Sequence, residues 1–207
     1  MKTESSNNEL FAAVLRYLRY TPGAVVSEAV QQQVERALAE VQELSTFKYI
    51  YAQHVEPMDF MNTPAYQDYM AGAEGYLLCA TTLGVQVDRR IRRLQLIDMS
   101  YSLIVDAAAS AYLECCADEF EYNLPFENLG FRFCPGYGGT SLQDNRVIAE
   151  QLNVGQIGIT FLDSNLMVPM KSMLGIVRIG GGSAKNCSRC VARENCAYRR
   201  NGTRCYL

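Results

Sequence analysis

The sequence predicts an α+β fold, and three features of its patterning do so. Apolar residues recur at helical spacing over long segments, while shorter β-branched and aromatic runs bounded by glycine read as strands. The two kinds of element are mixed without the regular βα alternation of a parallel sheet. A chain of 207 residues, 49% apolar and 20% charged, is long enough for one sizeable core, or for a core and a small appendage.

Taken in order, Leu10, Phe11, Val14, Leu15 and Leu18 lie on one face of a first helix over residues 8–20, stopped by Pro22 and Gly23. From Ser27, an N-cap residue by type, Val30, Val34, Leu38, Val41 and Leu44 form the stripe of a second, amphipathic helix. Residues 47–51 and 75–82 have strand composition, the latter ending at Gly84. The period then returns to that of a helix. Val87, Ile91, Leu94, Ile97, Tyr101, Ile104, Val105, Ala108 and Tyr112 predict one long helix reaching about Cys116, with Arg89, Arg90, Arg92 and Arg93 on its solvated face.

Residues 132–139, RFCPGYGG, form a turn-rich loop, and Thr140 with Gln143 reads as a capping box opening a helix that runs to Asn153 and stops at Gly155. Residues 157–162 and 173–179 are the last strand candidates. The glycines at 180–182 and Ser183 compose a linker to a tail in which Cys187, Cys190, Cys196 and Cys205 crowd together. The chain therefore divides into a main domain over 1–179, including N-terminal helices within 8–45, and a linker with a Cys-rich tail over 180–207.

Composition also excludes function classes. A net charge of −3 without a Lys/Arg run gives no footprint for nucleic acid. Residues 1–9 lack the basic start and apolar middle of a signal peptide, and no apolar run reaches bilayer length, so a cytoplasmic protein with no membrane partner is expected. There is no phosphate-binding glycine loop, no GxGxxG after a strand, no GxSxG and no HExxH. The one histidine, His54, has no nucleophile or orienting group in a recognisable motif, and no catalytic residue is assigned.

In a reducing compartment the eight cysteines are not read as a disulfide framework. The tail's C-x2-C-x5-C-x8-C supplies the four thiolates that a zinc site or an iron-sulfur cluster requires, and its spacing does not choose between them. Free thiols remain the alternative. Nearby Lys185, Arg189, Arg193, Arg199, Arg200 and Arg204 would offset thiolate charge, which ranks iron-sulfur slightly first.

The loop Arg132-Phe133-Cys134-Pro135-Gly136-Tyr137 is similar to the Arg-x-x-Pro-Gly-Tyr signature of the activation domain of cobalamin-dependent methionine synthase. A following helix, an Ile-Gly-Ile-Thr strand at 157–160 and Met167-x-Pro169-x-x-Ser172-x-x-Gly175 come in that family's order and spacing. Upstream, Thr81-Thr82-Leu83-Gly84 and a long helix with Asp106 and Glu114 resemble its stand-alone members. The likeness covers about residues 76–179 and implies a mostly antiparallel twisted sheet flanked by helices. It further implies S-adenosylmethionine as ligand, and as partner a corrinoid-binding methionine synthase or methyltransferase holding the cobalamin. On this reading the chain is a component of that activity rather than an autonomous enzyme.

By the same resemblance Arg132, Cys134, Pro135, Gly136 and Tyr137 bind the ligand, Cys134 mainly through its backbone, with Glu127 near the position of an acidic contact. An arginine fork suits a carboxylate, glycine permits close backbone approach, and tyrosine offers a ring face. The bland alternative is a structural turn with Arg132 in a surface ion pair. Lys171 is kept as a candidate contact for a phosphate or a partner. Ser110 stands where the full-length enzyme aligns an acidic residue, and Ile176, Val177 and Arg178 where it has aromatics. Those departures favour a rival reading, a metal-stabilised interaction or electron-transfer module that has lost the ligand.

Overall fold

A computed structural model describes residues 2–21, 23–181 and 194–202. The first helix, α1 (Lys2–Tyr17), ends earlier than the sequence suggests. Arg19 adopts φ 66°, and the bonds Arg19 N–H to Arg16 O and Tyr20 N–H to Leu15 O complete a Schellman turn ahead of Gly23. Helix α2 (Glu28–Leu44) starts as expected, with Ser27 Oγ accepting from Val30 N–H, and buries Val34, Ala37 and Val41.

The predicted single helix after Gly84 is two. Helix α4 (Val85–Ile97) stops at Asp98, whose extended backbone (φ −155°, ψ 84°) turns the chain into α5 (Met99–Tyr122). Asp98 Oδ1 caps α5 by accepting from Tyr101 N–H at 3.0 Å. The break places Ile97 at the surface, against expectation, while Val87, Ile91 and Leu94 of α4 and Tyr101, Ile104, Val105 and Ala108 of α5 share one core with α1 and α2. Arg89, Arg92 and Arg93 are exposed, as a solvated face requires, and Arg90 pairs with Glu40.

The main sheet has the order β1-β2-β5, from β1 (Lys48–His54), β2 (Gly75–Thr82) and β5 (Ser172–Ile179), all antiparallel. Cys79 lies opposite Tyr51 on one side and Gly175 on the other. The central strand β2 is buried along its whole length because both faces are covered. Tyr76, Leu78, Ala80, Leu174 and Ile176 pack against the short α3 (Pro64–Met70) and α6 (Asp144–Leu152). On the opposite face Leu77, Cys79 and Val177 meet Tyr49, Leu124 and Phe126. Val177 thus fills a core position.

Beyond β5, residues 129–133 lie along the sheet edge. Gly130 N–H donates to Arg178 O, while Phe133 and Ile176 exchange both backbone bonds at 2.8 and 2.9 Å. The expected strand over 157–162 shrinks to β3 (Thr160–Phe161), paired with the two-residue β4 (Met167–Val168). Val154–Ile157 form a 3₁₀ turn, because Asn153 in the left-handed region ends α6 before Gly155.

A short helix, α7 (Ala197–Arg200), brings Tyr198 against the α1–α2 connection at Tyr20. Among the described residues, no helix is long and apolar enough to cross a membrane.

Candidate functional site

The edge segment 129–133 delivers Arg132 to the side of the sheet covered by the C-terminal half of α5. Gly175 of β5, packed against the Arg132 side chain, leaves no room for one of its own: a Cβ there would come within 2.8 Å of Arg132 Cγ and 3.1 Å of Phe133 O. The Arg132 side chain is only 6% exposed. The sequence alternative of a surface ion pair therefore gives way to a buried one.

Its partners come from one helix turn of α5. Nη2 donates to Asp118 Oδ1 at 2.7 Å, and Nη1 donates to Glu121 Oε1, which also accepts from Tyr49 Oη at 2.6 Å. Nε is buried without a partner. Burial opposes the Arg132 charge, but the carboxylates of Glu121 and Asp118 hold its pKa above the ordinary arginine value. For Glu121, burial pushes the carboxyl up while Arg132 and Tyr49 pull it back. Beneath them the fully buried Cys79 thiol is pushed up to about 12 by desolvation, which keeps it neutral.

The rest of the loop is a tight turn rather than a helix start. Thr140 Oγ1 accepts from Gly136 N–H and donates to Tyr137 O, so the capping box with Gln143 does not form and α6 begins at Asp144 without a side-chain cap. The hydroxyl that would have capped the helix is spent closing the loop. Gly136 has φ 90°, a conformation suited to glycine. Pro135 is buried, Cys134 half-buried, and Tyr137 is 62% exposed. Tyr17 of α1 donates to Glu114 of α5 at 2.7 Å and lies within electrostatic reach of Tyr137 and Cys134. Glu127 stands exposed on the connection after α5, and the carboxylates that do meet Arg132 are Asp118 and Glu121.

Lys171, kept from the sequence as a phosphate or partner contact, turns inward instead. Its Nζ meets Asp106 Oδ1 at 2.9 Å and Ser110 Oγ at 2.8 Å, so Ser110 completes an internal bond. Asp106, Ser110, Glu114 and Asp118 follow one another at four-residue steps along α5, with Glu121 three further on, and form a polar ladder along one stripe of the helix. That spacing was visible in the sequence; its meeting with Arg132, Tyr17 and Tyr49 required the tertiary fold.

Of the tail cysteines, Cys187, Cys190 and Cys205 lie outside the described residues. Cys196 is half-buried and forms no disulfide with another described cysteine. Among the described residues no group of three or more His, Cys, Asp or Glu side chains is arranged to hold a metal ion. Two cavities of about 200 Å³ lie between α6 and β3 and between the α1–α2 connection and Tyr198, away from Arg132.

No family model matches the chain, and no curated protein matches it. Among solved structures, it is similar to a crystal structure of the MetH reactivation domain bound to AdoHcy, at a TM-score of 0.54 and 16% identity over 86% of this chain and 75% of that one. The chain has the fold of that domain.

Proposed function

We propose that the chain binds S-adenosylmethionine at the loop from Arg132 to Tyr137 and supports reductive methylation of a corrinoid held by a separate methionine synthase or related methyltransferase. The observation that carries this reading is a buried arginine with an unsatisfied Nε, set in the edge of a sheet whose fold is shared with a domain bound to AdoHcy. When bound, the ligand supplies an activated methyl group; the chain's own residues orient it. Arg132 takes the ligand carboxylate, the backbone of Cys134 to Gly136 lies against the ligand, and Tyr137 offers an exposed ring. Burial raises the thiol pKa values of Cys79, Cys115 and Cys116, so none of these is poised as a nucleophile, in keeping with positioning rather than covalent transfer. The cytoplasm is the compartment this role requires.

A second reading has one observation in its favour: Asp118 and Glu121 already neutralise Arg132, which needs no ligand to be buried. On that reading the chain is an interaction or electron-transfer module stabilised by iron-sulfur or zinc in the Cys-rich tail. Isothermal titration of anaerobically purified protein with S-adenosylmethionine separates the two. Saturable binding that is lost in Arg132→Ala supports the first, and no binding by a folded, metal-replete sample supports the second.

A further inference from the structure

We propose that Asp118 occupies, in the unliganded chain, the seat that a ligand carboxylate takes on Arg132, so that binding proceeds by exchange of one carboxylate for the other. The inference rests on the reading of Arg132 given above. It arises from an inequality between the two acidic partners. Glu121 is 10% exposed and fixed by a second bond from Tyr49, whereas Asp118 is 65% exposed. One is part of the buried framework and the other is at its rim.

Charge and geometry point the same way. One guanidinium needs one carboxylate for neutrality, and here it has two. A third anion added to both would meet repulsion in a partly desolvated setting, while an anion that replaces Asp118 keeps the balance unchanged. Asp118 reaches Nη2 alone, and the adjacent Nε is left without a partner. Nε and Nη2 form one fork of the guanidinium, which a carboxylate can engage with both oxygens. A free ligand carboxylate, not tethered to α5, can make the pair of bonds that Asp118 does not. Asp118 then sets a threshold for ligands: those with a carboxylate able to take both donors displace it.

The test titrates wild type, Asp118→Ala, Asp118→Asn and Arg132→Ala with AdoHcy and with methylthioadenosine, which keeps the nucleoside and thioether but has no carboxylate; circular dichroism checks folding. The expected result is about 3- to 5-fold tighter AdoHcy binding by both Asp118 variants, with methylthioadenosine affinity unchanged. AdoHcy affinity equal to or below wild type in these variants, or an equal gain for methylthioadenosine, overturns the exchange while leaving the reading of Arg132 standing. Undiminished AdoHcy binding by Arg132→Ala, or none by folded wild type and Asp118→Ala, removes that reading and the exchange with it.

Discussion

Tyr49 and Arg132 donate to the same oxygen, Glu121 Oε1, and through it the first strand, the longest helix and the site loop are tied at one buried point. Removing the acceptor leaves a buried guanidinium with a single partner at the rim and a tyrosine hydroxyl with only the Cys79 thiol beside it. Glu121→Ala is expected to cost about 3–5 kcal/mol and Tyr49→Phe about 1 kcal/mol in urea unfolding. A loss below 1 kcal/mol for Glu121→Ala would show that the buried pair is not what fixes Arg132.

Gly175 supports the same group sterically. A methyl there would overlap Arg132 Cγ and the Phe133 carbonyl, neither of which can retreat while residues 129–133 stay bonded to β5. Gly175→Ala is predicted to lose about 1–3 kcal/mol of stability and to weaken AdoHcy binding. Retained affinity together with lost stability would separate the sheet contact from the site.

Cys79 gives a pH-dependent signature. Its folded pKa, raised from 9.0 to about 12, exceeds the unfolded one, so its contribution to stability is complete below pH 9 and is lost as pH rises toward 12. The alkaline limb of the stability curve should flatten in Cys79→Ala relative to wild type. Native protein at neutral pH should also leave this thiol unmodified by iodoacetamide.

Two backbone positions test the helix ends. Arg19 pays for a left-handed conformation that glycine adopts freely, so Arg19→Gly should raise stability by about 0.5–1 kcal/mol. Asp98→Ala removes the cap of α5 and should lower it by about 1 kcal/mol. Thermal unfolding of both variants reads the opposite signs directly.

The elements that local chemistry specifies were legible in the sequence: Ser27 with its apolar stripe defines α2, and the run from Gly75 to Thr82 defines β2 to the residue. The break at Asp98 was not, because Leu94 and Tyr101 are seven residues apart and keep the helical phase across it. Thr140 misled for another reason. Its hydroxyl had two local uses, and closing the loop onto Gly136 won over capping α6. In the site, Arg132 was legible as a charged residue in a motif, but its burial was not, since that depends on Gly175 and on acidic side chains from α5. Glu127 was the nearer acid in sequence; Asp118 and Glu121 are the nearer ones in space.

The segment carrying Arg132 is held against β5 by bonds between main-chain groups, at Gly130 with Arg178 and at Phe133 with Ile176. Such bonds are indifferent to most side chains, so the address of the guanidinium is written in backbone geometry. Gly175 and Glu121 apart, the side chains around it can change while a charged group is still delivered to the same spot, which leaves the choice of ligand to a few replaceable positions around a fixed anchor.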